Sequence, residues 1–427
     1  MELKVAFGKD GLTLDLPEGY AYRVLEAKSA APLENVTKSL QDALDAPIDS
    51  APLRDLARGK KTAAISVCDI TRPAPNAITL PPLLERLRGA GIAPDGVTIL
   101  IATGLHRPAT EEEILRIVGP EIASRYAIVN HHAKQLSEHR FLGTTRRGTP
   151  VYIDERFMAA DLHLTLGFIE QHLMLGFSGG RKLIAPGLAA QETIKVLHSP
   201  KFMREPKAIE GSVAENPLHQ ELLEIARMAR HDFILDTALT RTREIAGVFA
   251  GDPVCAHARG VQFVSEALLE RLPEPADAVL TTAAGYPLDL TFYQAIKGVT
   301  AAQHIVKPGG RILLVAECAE GAGAPEFAQK LREFDNYGEL LRQLAQAPVV
   351  VDQWQIEKLA LAGEKYRIFF YVPGLPGELR KGLGGRAYNR PEEAIAAFLD
   401  GLPNRAEVAV IPEGPYVYAR VEEPVLA

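Results

Sequence analysis

A chain of 427 residues has room for two or three domains of ordinary size, and its 47% apolar content supplies a sizeable core. The net charge of −7 argues against a nucleic-acid partner or an anionic membrane surface, since either wants a basic face, but it leaves room for a local basic pocket. The cysteines Cys68, Cys255 and Cys318 form no CxxC pair, so neither a thiolate zinc site nor a disulfide framework is indicated, and a cytoplasmic setting is expected.

In chain order, the opening stretch alternates polar and apolar residues without the apolar core of a signal peptide. No apolar run approaches the ~20 residues that span a bilayer. Thr62–Cys68 and Val97–Ala102 read as buried strands, with helical spacing over Pro82–Ala90 between them. Thr110 and Glu113 carry a capping-box signal for a helix running through Val118. Ala127–Asn130 and Leu162–Leu166 are further short strands. The doublet His131–His132 and nearby His139 read as a solvated turn. Leu272–Pro275, with its two prolines, marks a domain boundary. Beyond it, Ala278–Thr282 reads as a strand, Thr291–Val306 as a helix, Lys307–Gly310 as a turn and Arg311–Ala316 as a strand. Helices over Glu326–Ala345 and Pro391–Leu399, with strands at Arg367–Tyr371 and Glu407–Ile411, complete the pattern. Strand-length apolar runs alternating with amphipathic segments specify an α/β protein. Two domains are expected, residues 1–272 and 273–427, each a mostly parallel sheet flanked by helices, with the active site in the cleft between them.

In open α/β sheets ligands sit beyond the carboxyl ends of the strands, and three polar clusters fall there. Asp69–Pro73 (DITRP) follows an apolar strand; Arg72 can clamp a carboxylate or phosphate, and a turn with a solvated arginine fits the same residues. Ala102–Pro108 places His106 between a strand and a capped helix, where a histidine can act as acid or base or simply face solvent. Gly167–Leu183 is the densest, packing Glu170, His172, Ser178, Arg181 and Lys182 into an apolar segment. Its Gly179–Gly180 pair lets backbone N–H groups approach a ligand closely, as a phosphate requires. The stretch is not a Walker A loop, because the glycine spacing is wrong and Leu183 stands where Ser or Thr should be. His172 and His198 lack any tight zinc spacing. No GxGxxG follows a strand and no GxSxG elbow occurs, which disfavours a dinucleotide-dependent dehydrogenase and an α/β-hydrolase.

Taken together, CDITRP at Cys68–Pro73, ATGLHR at Ala102–Arg107, QHLMLGFSGGRK at Gln171–Lys182, His198 in KVLHSP, YQAIK at Tyr293–Lys297 and Trp354 resemble the nickel-pincer lactate racemase family, in order and in spacing. The resemblance implies a racemase or epimerase of a 2-hydroxyacid. Its cofactor would be nickel on a pyridinium-3-thioamide-5-thiocarboxylic acid mononucleotide attached through Lys182. His198 matches the protein ligand to the nickel, in the planar arrangement Ni(II) favours with strong donors. His106 and His172 match catalytic histidines on opposite faces of the substrate. Arg72 and Lys297 match residues that hold the substrate carboxylate and the nearby cofactor, and Asp69, Gln294 and Trp354 match supporting residues. Gly179 and Gly180 join the cofactor set on the loop argument alone. The C2–H of a 2-hydroxyacid is a poor acid, so removal of hydride to a planar keto acid is the implied route, with one histidine per face serving as base or acid. Maturation proteins that assemble the cofactor are the implied partners. The competing readings are a non-catalytic nucleotide- or phosphometabolite-binding protein built on Gly179–Lys182 and Arg72, and a metal-dependent hydrolase using the histidines.

Overall fold

The computed structural model describes residues 1–333, 336–350, 352–381, 383–384 and 386–422. They form an α/β protein of two compact units, Ser29–Ala267 and Met1–Lys28 with Leu268–Ala427. The second unit therefore takes its first strands from the N-terminus, which departs from the expected division into 1–272 and 273–427. The physical reason is a strand pairing: Ala21–Val24 runs parallel to Glu407–Ile411 at the edge of the second sheet. The boundary proline pair is real punctuation, but Leu269–Leu272, just before it, already pairs with Tyr418–Val421.

In Ser29–Ala267 a six-stranded sheet has the spatial order Ile245–Gly251, Phe233–Leu239, Leu162–Phe168, Ala63–Cys68, Val97–Ala102, Ala127–Asn130. Only Ile245–Gly251 is antiparallel to its neighbour. Ala63–Cys68 and Leu162–Phe168 are buried along their whole length, as central parallel strands covered on both faces must be. Ile65, Ile99, Leu164 and Leu235 meet Leu83 and Leu87 of the helix Asn76–Gly89 in the core. Each such side chain contributes about 1.5–3 kcal/mol on burial. That helix begins earlier than its periodicity suggests and carries Pro81 and Pro82 in its interior. The capping box forms as expected: Thr110 accepts from the Glu113 amide and the Glu113 carboxylate accepts from the Thr110 amide.

The second unit holds a parallel sheet ordered Ala387–Tyr388, Arg367–Tyr371, Val306–Val315, Ala276–Thr282, Glu407–Ile411, Ala21–Val24. Lys307–Gly310, expected as a turn, lies inside the strand Val306–Val315, where the register to Ala276–Thr282 slips between Ala276 and Ala278. The helix before it is correspondingly shorter, Phe292–Ala302. The expected helix Glu326–Ala345 is observed as Pro325–Glu333 and Tyr337–Gln346; Phe334 and Asp335 lie outside the described residues. Among the described residues no helix is long and apolar enough to cross a membrane.

Candidate active site

All three polar clusters of the first unit lie at the carboxyl edge of its parallel sheet, because Cys68, Ala102 and Phe168 are the last residues of adjacent strands. Ser66 Oγ donates to the Leu183 carbonyl (2.8 Å), tying the segment after Lys182 to the strand beneath it. The Gly104 amide donates to the Gly187 carbonyl (3.0 Å), joining the His106 loop to the same segment. Gly104 has φ +53°, a backbone conformation that side chains disfavour and glycine adopts freely.

Asp69 and His106 form a dyad. Asp69 is buried, while the His106 side chain is half exposed, with Nδ1 2.6 Å from Asp69 Oδ2. The other carboxylate oxygen, Oδ1, accepts from the Thr71 hydroxyl (2.6 Å) and the Thr71 amide (3.2 Å). Burial works to raise the Asp69 pKa, but hydrogen bonds from His106 and Thr71 and the nearby Arg72 charge outweigh it and hold the carboxyl below its usual range. An ionised Asp69 accepts from Nδ1–H, which leaves the Nε2 lone pair of neutral His106 available to take a proton.

His172 sits on the short hairpin Gln171–His172/Gly176–Phe177. Its Nδ1 accepts, at long range, from the amides of Leu175 (3.3 Å) and Met174 (3.5 Å). Neutral His172 therefore carries its proton on Nε2, the tautomer opposite to that of His106.

His198 caps the helix Gln191–Leu197, and its Nδ1 lies 2.8 Å from the Ile194 carbonyl. A carbonyl only accepts, so Nδ1 carries the hydrogen and Nε2 keeps a lone pair. Burial, with the Lys182 charge assisting, pushes the imidazole down to about 4, which keeps it neutral near pH 7. A neutral imidazole with its tautomer fixed by a backbone carbonyl is suited to bind a metal through Nε2. The Lys182 charge acts on His198 and also, with those of Arg72 and Asp69, on Cys68 at the end of its strand. Asp69, Arg72, Lys182 and His198 thus share one electrostatic neighbourhood.

In the other unit, Gln294 and Lys297 share a face of the helix Phe292–Ala302. Trp354, in the helix Gln353–Gly363, donates from Nε1 to the Tyr293 hydroxyl at 3.0 Å. Among the described residues Gln294 Oε1 is buried without a hydrogen-bond partner, an acceptor that suits a ligand donor.

Gly179 (φ +86°) faces a carboxylate of the protein itself: a Cβ there would come 2.5 Å from Asp236 Oδ2. Asp236, on the strand Phe233–Leu239, is a reason within the protein for glycine at this position. One reading changes. His131 is no solvated turn residue. It is fully buried, with Nδ1 3.0 Å from Asp154 Oδ2 and Nε2 3.0 Å from the Ala189 carbonyl. Sequence reasoning also missed Arg181, His257 and Asp236 as partners; Arg181 was visible only as one more cation beside Lys182.

Models of the lactate racemase N-terminal domain and of the lactate racemase C-terminal domain match residues 7–211 and 272–418. The lactate racemase of Thermoanaerobacterium thermosaccharolyticum is 33% identical over 98% of this chain and 99% of its own length. That of Lactiplantibacillus plantarum is 37% identical over 88% of this chain and 89% of its own. The structure of the T. thermosaccharolyticum lactate racemase apoprotein superposes with a TM-score of 0.90 at 33% identity, covering 98% of this chain and all of that one. A protein from Thermotoga maritima shares the fold at TM-score 0.64 and 17% identity, covering 92% of this chain and 100% of its own. The chain is an isomerase of the racemase class, and it belongs to the lactate racemase family.

Proposed function

We propose that the protein interconverts the enantiomers of a 2-hydroxyacid, lactate or a close relative, using a nickel-bearing pyridinium mononucleotide held on Lys182. The observation that carries this reading is the Asp69–His106 dyad at the carboxyl edge of the sheet. Buried, ionised Asp69 holds the His106 proton on Nδ1 and leaves the Nε2 lone pair as a base on a half-exposed ring. A binding protein has no need of such a dyad. The residues fit the group: His198 supplies a neutral nitrogen with a fixed lone pair, and Lys182 acts electrostatically on it.

When bound, the group supplies an acceptor for the hydride leaving C2. The side chains do the rest. In one direction neutral His106 takes the hydroxyl proton on Nε2 as C2 becomes planar, and His172, entering as the imidazolium, gives a proton to the oxygen as hydrogen is restored to C2 on the other face; the reverse direction exchanges the roles. Arg72 and Lys297 are assigned to the carboxylate, so that C2 alone inverts. Asp69 stays ionised and stabilises the imidazolium that His106 becomes. Gln294 and Trp354 support the ligand from their helices. A cytoplasmic setting and dependence on maturation proteins belong to the same reading.

The test is intact-mass and peptide analysis of protein made alongside the maturation proteins, followed by racemisation in heavy water. A nucleotide-sized, sulfur-bearing adduct on Lys182 and no solvent deuterium at C2 are expected. Rapid incorporation of solvent deuterium at C2, or an unmodified Lys182 in fully active enzyme, would sink the reading.

A further inference from the structure

Beneath the turn that carries Lys182 lies a buried cation that the mechanism above does not use. Arg181 is 1% exposed. Its Nη2 donates to the carbonyls of Phe177 (2.8 Å) and Leu175 (3.4 Å), and its Nη1 to those of Gly179 (3.2 Å) and Ser178 (3.4 Å). The first two carbonyls belong to the hairpin that bears His172, the second two to the turn that bears Lys182. Nη1 also lies 2.6 Å from Nε2 of the buried His257, on the helix Cys255–Leu268. An arginine always donates, so His257 Nε2 accepts and cannot at the same time donate to the Ser178 carbonyl 2.8 Å away.

Among the described residues, the carboxylate that acts on Arg181 is that of Asp236, and it forms no hydrogen bond with it. Burial raises Asp236 to about 7 against the pull of Arg181 and the amides of Gly180 and Gly167, and it draws Arg181 down to about 9. A guanidinium this deep, bonded to carbonyls through its two Nη atoms while Nε has no hydrogen-bond partner among the described residues, is costly. Its placement fits a task that a smaller apolar residue could not perform: five planar donors are the one side-chain geometry that can hold carbonyls from two successive segments at once.

We propose that Arg181, seated on His257, is a positioning residue that fixes the His172 hairpin and the Lys182 turn as one piece, so that the acid–base ring and the cofactor lysine keep a set separation. The inference rests on the roles proposed above for His172 and Lys182. It predicts that His257 matters through its acceptor nitrogen. His257→Gln keeps an acceptor for Nη1, whereas His257→Phe fills the space without one; Arg181→Lys keeps the charge but cannot reach both segments.

The experiment uses the full chain without cofactor for two readouts, backbone hydrogen exchange over residues 171–183 and limited reductive methylation of Lys182. A third readout, the fraction of Lys182 adduct, is taken after exposure to the maturation proteins. In His257→Phe and Arg181→Lys, exchange over 171–183 is expected to rise about tenfold or more while peptides from Ala63–Cys68 keep their protection. Lys182 methylation should change in parallel and adduct formation should fall. His257→Gln should restore all three to near wild type. Unchanged exchange in both disruptive variants, or a His257→Gln protein as loose as His257→Phe, overturns the proposal. Should a disruptive variant fail to fold, the comparison of His257→Gln with wild type still decides: a loss of local protection there overturns it. Failure of the cofactor reading has a different signature, a wild-type chain that takes no adduct while the exchange pattern follows the variants as stated.

Discussion

Replacing Asp69 by asparagine tests the dyad at a single atom. The carboxylate receives the Thr71 hydroxyl and amide on Oδ1 and faces His106 Nδ1 with Oδ2, 2.6 Å away. An asparagine can satisfy both Thr71 donors only by placing its carbonyl oxygen in the Oδ1 position. Its NH2 then points at His106 Nδ1, which must become the acceptor. The ring hydrogen moves to Nε2, and the lone pair that takes the substrate proton is lost. Restoring the working tautomer sets two donors face to face and forfeits a hydrogen bond, at a cost of about 2–4 kcal/mol. That corresponds to a fall of roughly 30- to 1,000-fold in kcat/KM, overlapping the range general acid–base groups supply. The assay is chiral chromatography of each enantiomer's conversion, on protein whose Lys182 adduct has been quantified by mass. Because two enantiomers have an equilibrium constant of one, kcat/KM must fall equally in both directions. Loaded Asp69→Asn enzyme with near-normal rates would refute the tautomer argument. A loss explained wholly by failure to load would move Asp69 from the chemistry to cofactor assembly.

Other perturbations separate the remaining roles. His198→Gln should lower bound nickel per chain, measured by elemental analysis, while the Lys182 adduct persists. Gly179→Ala should cost about 1–3 kcal/mol from the extended, positive-φ backbone alone (φ +86°, ψ 172°), beyond any clash with Asp236. Denaturant melts of Gly179→Ala and of Gly179→Ala with Asp236→Ala should show partial recovery in the double variant. Asp154, hydrogen-bonded to His131 and Arg156, is the clearest pH element. Burial opposes its ionisation, but those partners take its pKa down to about 2. A depressed folded-state pKa adds stability that is present above the unfolded value near 4 and lost as pH falls toward 2. Asp154→Asn should therefore lower stability by roughly 2 kcal/mol at neutral pH, and the difference should shrink in acid, followed by thermal melts from pH 7 to pH 2.5.

Much of the site's placement was legible because local signals sufficed. Val97–Ala102, Ala127–Asn130, Arg367–Tyr371 and Glu407–Ile411 stand where their apolar runs put them. The three polar clusters follow strands that end side by side, so position along the sequence translated into position at the sheet edge. What could not be read is long-range. Nothing near Ala21–Val24 announces a partner at Glu407–Ile411, since pairing across the chain leaves no periodic trace. Lys307–Gly310 looked like a turn because Pro and Gly usually are one, yet the strand runs through them with a register slip. Asp236 lies in Phe233–Leu239, a segment without a sequence signal of its own, and only the fold brings its carboxylate against Gly179. The same holds for His131, whose neighbours in sequence are polar but whose partners, Asp154 and Ala189, are distant.

The pairing of Ala21–Val24 with Glu407–Ile411 also sets an order of events during synthesis. In the unit made from Met1–Lys28 and Leu268–Ala427, Ala21–Val24 lacks its partner until Glu407–Ile411 has emerged, whereas Ser29–Ala267 is complete long before. The nascent chain can close the unit carrying His106, Lys182 and His198 while its first strands still wait, with unpaired edges, for the last ones. Ribosome-stalled chains ending past residue 267 should then protect Leu162–Phe168 from proteolysis and leave the first 28 residues open to it.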